Sequence, residues 1–137
     1  MDDFFYGIME IDSLSGLASK NEQPQLDEIS KKYACAEIGS SWREVPYEIG
    51  FNLIKDGIAF DLVFTNHRNV DDETAIECTK RYLSHFSSSC RFFTNVSDSP
   101  WRSGSYGATP LTEWTFDCGV IVKDKKNIGF ICFMGED

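Results

Sequence analysis

Apolar and polar positions along this chain follow two periods, and the changes between them mark its elements. The run from Phe4 to Ile11 is apolar at nearly every position and stops at Asp12 and Ser13, which predicts a buried first strand. Residues 14–20 have no clear period. Pro24 then sits where a helix can begin, at its first position. Leu26, Ile29 and Tyr33 follow at helical spacing, with Asp27 and Glu28 early and Lys31 and Lys32 late, as the helix dipole favours. Residues 39–46 read as a loop carrying Trp42 and Arg43.

Residues 49–65 carry the clearest alternation. Phe51 and Leu53 precede Lys55-Asp56-Gly57, and Ile58, Phe60, Leu62 and Phe64 follow every second residue. Period two around an Asp-Gly pair predicts a β-hairpin. Residues 69–87 predict a helix. Asn69, Asp71 and Asp72 offer capping oxygens, and Ala75, Ile76, Thr79, Tyr82, Leu83 and Phe86 form one apolar stripe. A short strand is expected at 91–94. Residues 95–113 then form a long irregular loop, a kind of segment that is often functional in a compact domain. Two strands close the chain, the first presenting Trp114, Phe116, Cys118, Val120 and Val122 on one face. The second, 128–134, is apolar on both faces, as a central strand would be. The whole predicts a single α+β domain over residues 1–137, a mainly antiparallel sheet of five to six strands with two helices packed on one face.

Charge narrows the possible partners. The chain has 22 Asp and Glu against 13 Lys and Arg, a net charge of -9, together with 11 Phe, 5 Tyr and 3 Trp. So negative a surface repels nucleic acid and anionic lipid and attracts cationic protein. No run approaches the ~20 apolar residues that span a bilayer. The acidic start Met1-Asp2-Asp3 is unlike a secretory leader, so a cytoplasmic location is expected. Cys35, Cys78, Cys90, Cys118 and Cys132 contain no Cys-x-x-Cys pair and read as free thiols, with Cys90 the expected exposed one.

Candidate chemistry is sparse. Gly104 to Gly107 lacks the spacing and the lysine of a phosphate loop, and Arg102-Ser103-Gly104 misses the nucleophile elbow. His67 and His85 have no second ligand at metal spacing, so neither metal nor cofactor is expected. Asp61 and Asp117 interrupt apolar strands and are expected on the solvated side of the sheet rather than as an acid/base pair. The candidate binding residues are Trp42, Trp101, Arg102 and Tyr106, whose types dominate contact hot spots, and the acidic cluster Asp71, Asp72 and Glu73. The alternative role for Trp101 and Tyr106 is to pin the loop to the sheet.

These features suggest a non-enzymatic acidic binding protein that neutralises a basic protein, as an immunity or inhibitor protein does for a toxin or nuclease. One alternative is a phage-type antagonist of a nucleic-acid-acting defence enzyme that works by acidic mimicry. Another is a small-ligand domain or enzyme using a pocket under the 95–113 loop, with Trp101, Arg102, Tyr106 and Trp114 near its mouth. Oligomeric state does not follow from the sequence.

Overall fold

The computed structural model describes residues 7–136. Its elements run β1 (Gly7–Ser13), α1 (Glu22–Lys32), β2 (Arg43–Val45), α2 (Tyr47–Ala59), α3 (Asp72–Leu83), β3 (Arg91–Thr94), β4 (Phe116–Lys123) and β5 (Asn127–Gly135). The five strands form one antiparallel sheet in the order β1-β5-β4-β3-β2. The architecture is α+β, as the sequence predicts. The first strand begins at Gly7 and is a half-buried edge; the expected Phe4, Phe5 and Tyr6 lie outside the described residues.

Both faces of the sheet are covered, which explains why β4 and β5 are apolar without alternation. On one face Phe92, Val120, Val122, Ile131 and Phe133 pack against Leu53, Ile54 and Ile58 of α2 and Ala75, Tyr82 and Leu83 of α3. On the other, Phe93, Ile121, Ile128, Phe130 and Cys132 pack against Leu26 and Ile29 of α1, with Leu17, Trp42 and Leu111 completing the layer. Each fully buried Val, Leu, Ile or Phe among them contributes about 1.5–3 kcal/mol. Two helices do share one face, but they are α2 and α3, while α1 lies on the opposite face.

The hairpin expected at 49–65 is not formed: most of it is α2. Buried Gly50, Leu53, Ile54, Gly57 and Ile58 recur at helical spacing, and the two glycines are contact points. A Cβ on Gly50 would stand 2.3 Å from the Phe92 ring, and one on Gly57 would stand 2.1 Å from the Phe133 ring. The Asp-Gly pair therefore serves close helix–sheet approach, not a turn. The rest of the segment is a loop in which the Asp61 carboxylate accepts from the Val63 and Phe64 amides at 2.9 and 2.7 Å.

The helix expected at 69–87 forms over a shorter span. Asp71 caps it by accepting from the Thr74 amide at 2.8 Å; Ala75, Thr79, Tyr82 and Leu83 of the predicted stripe are its buried side, Phe86 is buried just beyond its end, and Ile76 is only half-buried. The Tyr82 hydroxyl donates to the Glu10 carbonyl at 2.8 Å and ties α3 to β1. In α1, Pro24 is inside the first turn rather than at its first position. Before it, Glu28 accepts from the amides of Ala18 and Ser19, which anchors the incoming loop. All five cysteines are free. Cys90 is buried, contrary to expectation, and Cys78 is the partly exposed one.

Candidate functional site

The long loop is closed at its base by buried polar groups. Asn95 and Asp117, each at most 5% exposed, hold it to the sheet. Asn95 Oδ1 accepts from the Gly119 amide at 2.7 Å, and its Nδ2 donates to Thr109 O at 2.9 Å and Asp117 Oδ1 at 2.8 Å. Asp117 Oδ2 accepts from the Leu111 amide at 3.0 Å, the Thr112 amide at 2.9 Å and the Thr112 hydroxyl at 2.8 Å. Asp117 is therefore interior, not on a solvated face as its place in an alternating strand suggests. Four donors compensate its burial. Further out, Ser97 and Gly107 join through two bonds, Ser97 N to Gly107 O at 2.8 Å and Gly107 N to Ser97 Oγ at 2.7 Å.

The loop tip lies against the α2 layer. Trp101 is half-buried, meets Phe133 edge-on at 5.9 Å between centroids, and donates from Nε1 to Asp61 O at 3.0 Å. Beside it Arg102 Nε reaches Asp56 Oδ2 at 2.6 Å, and Nη2 reaches Oδ1 at 3.5 Å. The Asp56 side chain is only 4% exposed, whereas that of Arg102 is 53% exposed. Lys55 Nζ stands 3.6 Å from the same carboxylate. The hydrogen bond to Asp56 holds the Arg102 guanidinium above its usual range, with Asp72 and Glu48 adding in the same direction. Trp101 and Arg102 thus pin the loop, and Arg102 is also part of the surface.

Of the acidic cluster, Asp72 lies within electrostatic reach of that arginine. Asp71, Asp72 and Glu73 form the exposed start of α3. Hydrogen bonds from Thr74 lower the Asp71 carboxyl, and the Arg68 guanidinium, 2.9 Å away, lowers that of Asp72. Arg68 also stacks over Phe60 at 4.4 Å. Among the described residues the large hydrophobics most exposed are Tyr47, Ile49 and Phe64, at 48%, 45% and 68%. Tyr47 and Ile49 bracket Glu48 on the first turn of α2, and Phe64 follows the helix in the turn on which Trp101 docks. The structure therefore assembles Trp101, Arg102, Asp71, Asp72 and Glu73 around α2 and α3. It also adds Glu48, Asp56 and Phe64, which the sequence does not nominate. Asp56 is detectable only once 47–59 is read as a helix, because it then adjoins the apolar stripe.

Two candidates fall elsewhere. Trp42 is a core residue, 8% exposed, whose Nε1 donates to Asp27 Oδ1 at 3.1 Å; it is not available to a partner. Tyr106 lies in a cleft of about 300 Å³ with Pro110, Trp114, Thr115, Phe116 and Asp117. The pocket expected under the loop is thus walled by Tyr106 and Trp114 and not by Trp101 or Arg102. Burial, with the charge of Asp117 nearby, raises the Tyr106 phenol.

Among the described residues no three His, Cys, Asp or Glu side chains are placed to hold a metal, and no helix is long and apolar enough to cross a membrane. No known protein family, characterised protein or solved structure matches this chain.

Proposed function

We propose that this domain is an acidic protein-binding module that neutralises a basic protein in the cytoplasm, as an immunity or inhibitor protein does for a toxin or nuclease. The observation that carries this reading is the surface around α2 and α3. There Arg102, paired with Asp56, lies within electrostatic reach of Glu48 and Asp72, and exposed Tyr47, Ile49 and Phe64 stand at the two ends of α2. Dispersed carboxylates keep a protein soluble, but carboxylates among exposed aromatics also suit an interface. The negative field speeds encounter with a cationic partner, and the apolar side chains slow its departure. The acid groups steer over only ~8–10 Å at physiological ionic strength, so binding by this surface is strongly salt-dependent.

The test is capture from lysate at low salt with the tagged chain and with a variant carrying Glu48→Lys, Asp72→Lys and Glu73→Lys. One stoichiometric basic protein, released by a salt step and lost from the variant, is the expected result. Capture that ignores both salt and charge reversal overturns the reading.

A further inference from the structure

We propose that the cleft beneath the loop is a binding site for a quaternary or alkylated ammonium group. Its walls are aromatic, with Tyr106, Trp114 and Phe116 lining a space of about 300 Å³ that Ala108 and Pro110 complete. Its one formally charged lining residue is Asp117, which is buried, and among the described residues no lysine or arginine forms an ion pair with that carboxylate. The four donors on Asp117 satisfy its hydrogen-bonding capacity locally, but they are dipoles and leave its net charge in place. A low-dielectric wall focuses that field into the cleft.

Aromatic rings beside a carboxylate that no lysine or arginine pairs are the chemistry that holds a soft cation. The ring quadrupoles attract it, and its methyl groups give up little hydration on entry. An ammonium rich in N–H bonds is held less well, because the walls offer it few acceptors. An anion is repelled by Asp117. The volume is at the small end of ligand pockets, which suits a trimethylammonium head and excludes a large cofactor. The clefts beside α1 and near Arg91 differ in kind, since each mixes lysines with carboxylates. This site shares no residue with the α2 and α3 surface, so it stands or falls apart from the protein-partner reading.

The experiment is calorimetric titration of the full chain with choline, with a peptide carrying trimethyl-lysine, and with 3,3-dimethylbutan-1-ol, the neutral isostere of choline. Backbone NMR shifts would be followed in parallel. Saturable binding of a trimethylammonium probe, about tenfold or more tighter than the isostere, is expected, with shifts confined to residues 106–117. Tighter binding of choline marks a small-molecule ligand, and tighter binding of the peptide marks a modified protein tail. Trp114→Leu and Tyr106→Leu should each weaken the cation about tenfold while barely affecting the isostere. These two variants are used because Asp117→Asn endangers the loop itself. Equal affinity for cation and isostere, absence of saturation by ~10 mM, or shifts elsewhere on the protein would each overturn the assignment.

Discussion

Deleting Arg102 and deleting its partner Asp56 should cost different amounts, although both remove the same ion pair. The asymmetry comes from exposure. The Asp56 side chain is 4% exposed and that of Arg102 is 53% exposed, with Nε and Oδ2 2.6 Å apart. In Arg102→Ala the carboxylate stays in place on α2, and Lys55 Nζ at 3.6 Å is its remaining cation. Stranding a buried charge costs about 3–5 kcal/mol, and solvent around the guanidinium reduces the loss to about 2–3 kcal/mol. In Asp56→Asn the arginine swings into water, so the loss is about 1 kcal/mol or less. Unfolding entropy near 2.1 cal/mol/K per residue, over 137 residues, converts each kcal/mol into about 3–4 °C. Arg102→Ala should therefore lower the midpoint by about 6–12 °C and Asp56→Asn by about 4 °C or less. The double variant, which has no stranded charge, should be more stable than Arg102→Ala alone. Thermal and urea unfolding followed by circular dichroism measures all three. Equal single losses, or a double variant in which they simply add, would refute the stranded-charge argument.

Other substitutions examine separate parts of the fold. Trp101→Ala should lose about 2–4 kcal/mol in urea unfolding, because it removes the edge-on contact with Phe133 and the bond to Asp61 O; an unchanged midpoint would make Trp101 a pure contact residue. Gly57→Ala gains about 1 kcal/mol of helix propensity but places a Cβ 2.1 Å from the Phe133 ring, so soluble yield and midpoint should both fall, whereas a stabilised variant would show the helix free to lift. Burial, then the charge of Glu10, raises the Tyr82 phenol above its ordinary value of 10.0, so its contribution is complete below that pH and lost as pH rises beyond it. Tyr82→Phe should then begin about 1 kcal/mol less stable at neutral pH and lose less on alkaline titration than the parent. In the native state iodoacetamide should label Cys78 first, with Cys35, Cys90, Cys118 and Cys132 protected until unfolding; mass spectrometry of the labelled peptides reads the order.

What the sequence makes legible depends on whether a residue acts through its own period or through a distant neighbour. The α3 stripe and the β4–β5 pair are visible because adjacent residues settle them: Ala75, Thr79, Tyr82 and Leu83 share a helix face, and Asp124 to Asn127 is a polar break between apolar runs. Residues 49–65 mislead because Phe51, Leu53, Ile58, Phe60 and Leu62 fit period two, while Gly50 and Gly57, the helix's contact points, look like turn residues. Their meaning is held by Phe92 and Phe133, far along the chain. The same holds for Asp117, whose donors come from Asn95, Leu111 and Thr112 once the loop has closed. Arg102 and Asp72 are both nominated by the sequence, yet only the fold brings them within electrostatic reach. Trp42 fails as a surface candidate because Asp27 satisfies its indole inside the core.

The pairing of the first described strand with the last governs how this protein acquires its fold in time. Ser13 meets Asn127 and Gly7 meets Phe133, so nearly the whole chain lies between partners in one ladder. Such long-range pairing carries a large loop-closure cost and slows folding. While the chain is being made, α1, α2 and α3 are all complete before β4 and β5 exist to carry them. The three helices therefore wait as amphipathic segments without a floor. The sheet that both helical layers cover is complete only when the final hairpin forms its middle and β1 pairs along its edge.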